Sequence, residues 1–86
     1  MYSREQEIEM IDNPEKWPQH PLLPIKLGRG RGIENNGVII DQPRIEGKLM
    51  IRKGVTMWHS PEDINSAECE WFDSTEALVD AGWMVD

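Results

Sequence analysis

The sequence predicts a small α+β fold: an antiparallel sheet of about four strands, with one helix near the N-terminus and one near the C-terminus. Three observations carry this. Helix-capping signals stand near both ends, at Ser3-Arg4-Glu5-Gln6 and at Asp73-Ser74-Thr75-Glu76. Between residues 44 and 52, apolar and charged residues alternate with the period of a strand. The apolar share is only 38%, but four tryptophans stand among the 86 residues, and each can bury roughly 200 Å². A folded chain is therefore expected, with residues 1–86 forming a single domain.

The first helix follows Ser3, whose hydroxyl and the Gln6 amide serve each other's backbone. Ile8 and Ile11 share one of its faces, with Met10 alongside. Asn13-Pro14 ends it, because the residue before proline is pushed out of the helical region. A short turn from Pro14 then carries Trp17 toward the core. Pro18, Pro21 and Pro24 follow at every third residue, a spacing that suits an extended path. Leu22, Leu23, Ile25 and Leu27 are too apolar to be left in water, so residues 17–27 are expected to form an edge strand or a wall over the core. Residues 28–36 read as a mobile glycine–arginine loop joining ordered parts.

Asn36-Gly37 favours a tight turn into the strand Val38-Ile39-Ile40. In the alternating segment, Ile45, Gly47, Leu49 and Ile51 face inward, while Arg44, Glu46, Lys48, Met50 and Arg52 form a wet face. Lys53-Gly54 turns the chain, and Val55–Trp58 is expected to pair back antiparallel. Ser60-Pro61-Glu62-Asp63 caps a single helical turn. In 67–72, Cys69 and Trp71 are expected inward and the glutamates outward. The last helix closes at Gly82, in the left-handed conformation, before a short terminal strand at Trp83–Val85. The expected core is Ile8, Ile11, Trp17, Leu22, Ile25, Ile39, Leu49, Ile51, Trp71, Leu78 and Val79.

Charge is unevenly spread. Residues 26–54 carry seven bases and three acids, whereas residues 55–86 carry eight acids and no base, within a net charge of −7. A field of that sign repels nucleic acid overall, although a local basic strip can still touch phosphate. Cys69 is the only cysteine, so no internal disulfide forms and a reducing compartment is expected. No apolar run approaches the roughly 20 residues that cross a bilayer, and the first residues lack the apolar stretch of a signal peptide. No membrane association is expected.

Catalytic and metal chemistry find little support. His20, His59 and Cys69 lack the short pair spacings of structural zinc sites, so no metal and no cofactor are expected. Cys69 could pair with a histidine only through the fold, and Trp58-His59-Ser60 reads as a tryptophan packing at a sheet edge before a helix cap, so the protein is not expected to be an enzyme. Binding residues are sought instead among Arg29, Arg31, Arg44, Lys48 and Arg52, the basic centre, and at Trp58-His59, where an aromatic ring and an imidazole adjoin at a strand end.

The stretches NPEKWPQHPLLPIK (13–26) and FDSTEALVDAGWMVD (72–86) together resemble small, uncharacterised proteins of tailed phages that infect actinobacteria. Those proteins open with an acidic helix and a Trp-Pro…Pro-Leu-Leu-Pro segment, and close with an acidic helix and Gly-Trp-x-Val-Asp. They commonly carry a basic pair after the last proline, where Lys26 is here followed by Leu27. The resemblance implies a phage origin, an infected bacterial cytoplasm and an accessory role, and it carries over no functional residue. The leading expectation is a non-enzymatic protein that binds a host or phage protein, modulating host defence or physiology. The alternatives are nucleic-acid binding through the basic centre, acidic mimicry of nucleic acid, and sequestration of a small nucleotide-like ligand by Trp58 and His59.

Overall fold

A computed structural model describes residues 2–28 and 32–86. Ser3 caps helix α1 (Arg4–Asp12) as its sequence requires: its hydroxyl accepts from Gln6 N, and its own N–H donates to Gln6 Oε1 at 2.9 Å. A short 3₁₀ turn (Pro14–Lys16) delivers Trp17, which is buried with its indole N–H on the Met10 carbonyl at 2.7 Å. Strand β1 (Leu22–Leu27) follows, then a 3₁₀ turn (Ile33–Asn35) and strands β2 (Asn36–Ile40) and β3 (Leu49–Lys53). Helix α2 (Pro61–Ser66), strand β4 (Glu68–Phe72), helix α3 (Thr75–Asp80) and strand β5 (Trp83–Val85) complete the chain. Ser60 and Ser74 cap α2 and α3, and Gly82 takes the positive φ that ends the last helix.

The class is α+β, and the sheet has five antiparallel strands rather than four, in the order β4-β3-β2-β1-β5. One face carries the main core, where Leu23, Ile25, Ile39, Leu49, Ile51, Phe72 and Trp83 meet Ile11 of α1 and Leu78 of α3. The opposite face holds a smaller cluster, in which Val38, Val55 and Ile64 of α2 pack with Leu22 and Ile40. β2 is therefore buried on both faces, which explains its unbroken Val-Ile-Ile run.

Several expectations are corrected. β1 lies inside the sheet between β2 and β5, not at an edge. Its Pro24 is tolerated because its missing donor falls at the end of the short β5 pairing, where the Pro24 carbonyl accepts Asp86 N. Gly37 belongs to β2 itself; a side chain there would meet the Arg52 carbonyl oxygen and the Trp83 ring. The expected loop 28–36 includes the turn Ile33–Asn35, while Arg29 and Arg31 lie outside the described residues.

The strand expected from residue 44 begins only at Leu49, because Glu46 and Gly47 both take positive φ in a tight turn, with Ile45 bridging Lys48. Ile45 is consequently exposed. Val55–Trp58 does not pair as a strand. Gly54 turns the chain across the second face instead, where Val55 joins Val38 and Ile64. Arg52 is then half-buried, not on a wet face, and donates to the Ala67 carbonyl at 2.9 Å. β4 is turned over relative to expectation: Phe72 sits opposite Leu49 and is buried, whereas Cys69 and Trp71 are exposed. In α1, Glu7 and Ile11 face the core and Ile8 is only half-buried. Leu22 and Val79 are also half-buried; Leu22 packs in the smaller cluster and Val79 against the main one.

Candidate protein-binding surface

The turn between β3 and α2 projects Trp58 away from the protein. Thr56 organises it: its N–H donates to His59 Nδ1 at 3.0 Å, and its hydroxyl accepts from Trp58 N at 3.2 Å. The His59 N–H donates to the Thr56 carbonyl at 3.2 Å. Buried Val55 anchors one end of the turn, and the Ser60 cap of α2 fixes the other. The imidazole is therefore folded back to hold the turn, while the indole remains 85% exposed. At about 25 cal/mol per Å² over roughly 200 Å², such exposure leaves up to about 4 kcal/mol of transfer free energy unused.

Beside Trp58 lies a groove of about 240 Å³, lined by Met57, Pro24, Gly37 and Asp86 among others. Its walls are mostly apolar. Asp86 adds one carboxylate at the rim, 3.7 Å from Lys26 Nζ. An aromatic anchor, a flexible thioether and a peripheral charge together suit the docking of a protein surface.

Among the described residues, Arg44, Lys48 and Arg52 do not gather into one free patch; Arg29 and Arg31 lie outside them. Arg44 lies before the tight turn and donates to Asp12 at 2.8 Å and to Thr75 Oγ1 at 2.7 Å; the Thr75 hydroxyl in turn donates to Asp12 at 2.5 Å. This triad ties the end of α1 to the start of α3, and Arg44 offsets the Asp12 carboxylate, an unfavourable charge at a helix C-terminus. Lys48 stands 4.0 Å from Asp73, and Arg52 is on the opposite face, bonded to Ala67. A second groove, of about 320 Å³, runs past Arg44, Lys48, Trp17 and Trp71. Its arginine is already neutralised by Asp12. Sequence reasoning missed Trp71 as a surface residue, since alternation locates two faces without saying which is covered.

Among the described residues, no three His, Cys, Asp or Glu side chains are grouped to hold a metal ion. Among them too, no helix is long and apolar enough to cross a membrane. Compared with protein-family models, curated proteins and solved structures, the chain matches none.

Proposed function

We propose that the protein is a non-catalytic binding module that docks a host or phage protein in the cytoplasm of an infected bacterium, with Trp58 as its anchor. The observation that carries this reading is the 85% exposure of an indole on a hydrogen-bonded turn. A side chain carried on a hydrogen-bonded turn requires little further ordering of the backbone when a partner covers it, and tryptophan is among the residues enriched in binding hot spots. The groove beside it can receive an apolar side chain from the partner.

The test is capture from a bacterial lysate on immobilised protein, with the wild type and Trp58→Ala run in parallel. A partner retained by the wild type and lost by the variant supports the reading. Identical profiles, or nothing above background with the wild type, overturn it.

A further inference from the structure

The two edges of the sheet are finished differently. β5 is one edge, and α1 lies against it: the buried Glu7 carboxylate accepts the Val85 N–H at 2.6 Å. β4 is the other edge, and its outward main chain can be identified from the hydrogen bonds. Gly54 N donates to the Asn36 carbonyl, so the even-numbered residues of β3 bond to β2 and the odd-numbered ones bond to β4. Leu49, Ile51 and Lys53 stand opposite Phe72, Glu70 and Glu68. The N–H and C=O groups of Cys69 and Trp71 therefore point outward, and among the described residues nothing bonds to them.

An open edge is a template for another strand unless something guards it. β4 contains no proline, and its only guards are the acids Glu68 and Glu70, on the same face as Phe72. Glu70 is paired with Lys53 at 3.1 Å; Glu68, opposite Lys53 in the ladder, is exposed and beyond ion-pair distance of any described base. On the other face Trp71 is 47% exposed, beside Met50 of β3. Such acids repel a second copy of this chain, whose β4 carries the same charges and whose net charge is −7. They attract a strand with basic residues on that face.

We propose that the β4 edge accepts an extended basic segment of a partner protein, added antiparallel as a sixth strand. Its main chain bonds to Cys69 and Trp71. Lysines or arginines at alternate positions stand beside Glu68 and Glu70, and the residues between them are apolar and lie beside Trp71. This surface is separate from Trp58, so loss of either leaves the other in place.

The probe is a labelled peptide of alternating lysine and valine. Its controls are a peptide of equal charge with proline at two valine positions and an alternating glutamate–valine peptide. Binding is read by fluorescence anisotropy, and its location by amide hydrogen exchange. The lysine–valine peptide is expected to slow exchange at Cys69 and Trp71 by about tenfold or more. Both controls are expected to bind about tenfold more weakly or worse. Glu68→Lys should weaken binding without altering the fold, and Trp58→Ala should leave it unchanged. Equal binding of the proline peptide would show attraction by charge alone and overturn the proposal. So would protection that falls elsewhere, or protection of the same amides by self-association without peptide.

Discussion

Replacing Gly37 by alanine probes the sheet where two strands and a tryptophan converge. The backbone at Gly37 lies outside the left-handed region, so conformation does not demand glycine there; space does. A Cβ at this position stands 2.7 Å from the Arg52 carbonyl oxygen and 3.3 Å from the Trp83 ring. The nearer atom is main chain of β3, paired with β2 and β4 on its two sides, and it cannot swing away as a side-chain tip can. Overpacking of this kind costs about 1–3 kcal/mol. In a domain of this size that lowers Tm by about 4–24 °C. Thermal and urea unfolding followed by tryptophan fluorescence measure it. Gly47 provides the contrast, since it has φ +78° and nothing within 4 Å of a built Cβ. Strain alone operates there, so Gly47→Asn should be milder than Gly47→Ala, asparagine being at ease in the left-handed region. At position 37 asparagine should be worse than alanine. A Gly37→Ala protein within about 0.5 kcal/mol of wild type would refute the steric account.

Trp58→Ala should leave stability within about 0.5 kcal/mol of wild type while weakening capture of the partner about 30-fold or more; a large loss of Tm would mean the indole is structural. Thr75→Val removes the hydroxyl shared by Asp12 and Arg44 and should cost about 1–3 kcal/mol in urea unfolding, with Thr75→Ser close to wild type. Equal stability of the valine variant would show that the Arg44–Asp12 pair suffices. Arg4 hydrogen-bonds Asp80 and holds its carboxyl below the ordinary range. The contribution of that exposed pair is present above the unfolded value of about 3.9 and fades as pH falls through the lower folded value. Wild type should thus exceed Asp80→Asn by a small margin at neutral pH, and the gap should close in acid. A margin that persists in strong acid would contradict the assignment.

Capping chemistry was the most legible part of the sequence. Ser3 with Gln6, Ser60 before Pro61, Ser74 and Gly82 all mark helix ends correctly, because each signal is completed by its own neighbours. What the sequence hid depends on distant partners. Glu68-Cys69-Glu70-Trp71-Phe72 alternates, but only the pairing of Phe72 with Leu49 decides which face is buried. Pro24 suggests an edge, and only the short reach of β5 explains how it fits inside. Glu46-Gly47 interrupts an apparently continuous alternation because the tight turn keeps the two-residue rhythm on either side. At the candidate surface, Trp58 was visible as a residue of interest. Its outward aim was not, since it follows from Val55 turning into the second cluster. Of the basic centre, Arg44 pairs with Asp12 and Lys48 stands near Asp73, while Arg52 lies on the opposite face of the sheet, a separation that a linear run of charges does not show.

Helix α1 has consequences for how the protein is made. Besides its contacts with Trp17 and Arg44, it reaches the far end of the chain: Glu7 with Val85, Arg4 with Asp80, Asp12 with Thr75. During synthesis, β1, β2, β3 and β4 can align one after another as each leaves the ribosome. Helix α1 meanwhile lacks its partners Thr75, Asp80 and Val85 until α3 and β5 emerge. Helix α1 is thus made before the partners that complete its docking, and until they emerge the apolar face formed by Leu23, Ile25 and Ile39 is only partly covered. Closure of the core is a late event, set by the sequence-distant contacts of α1 with α3 and β5.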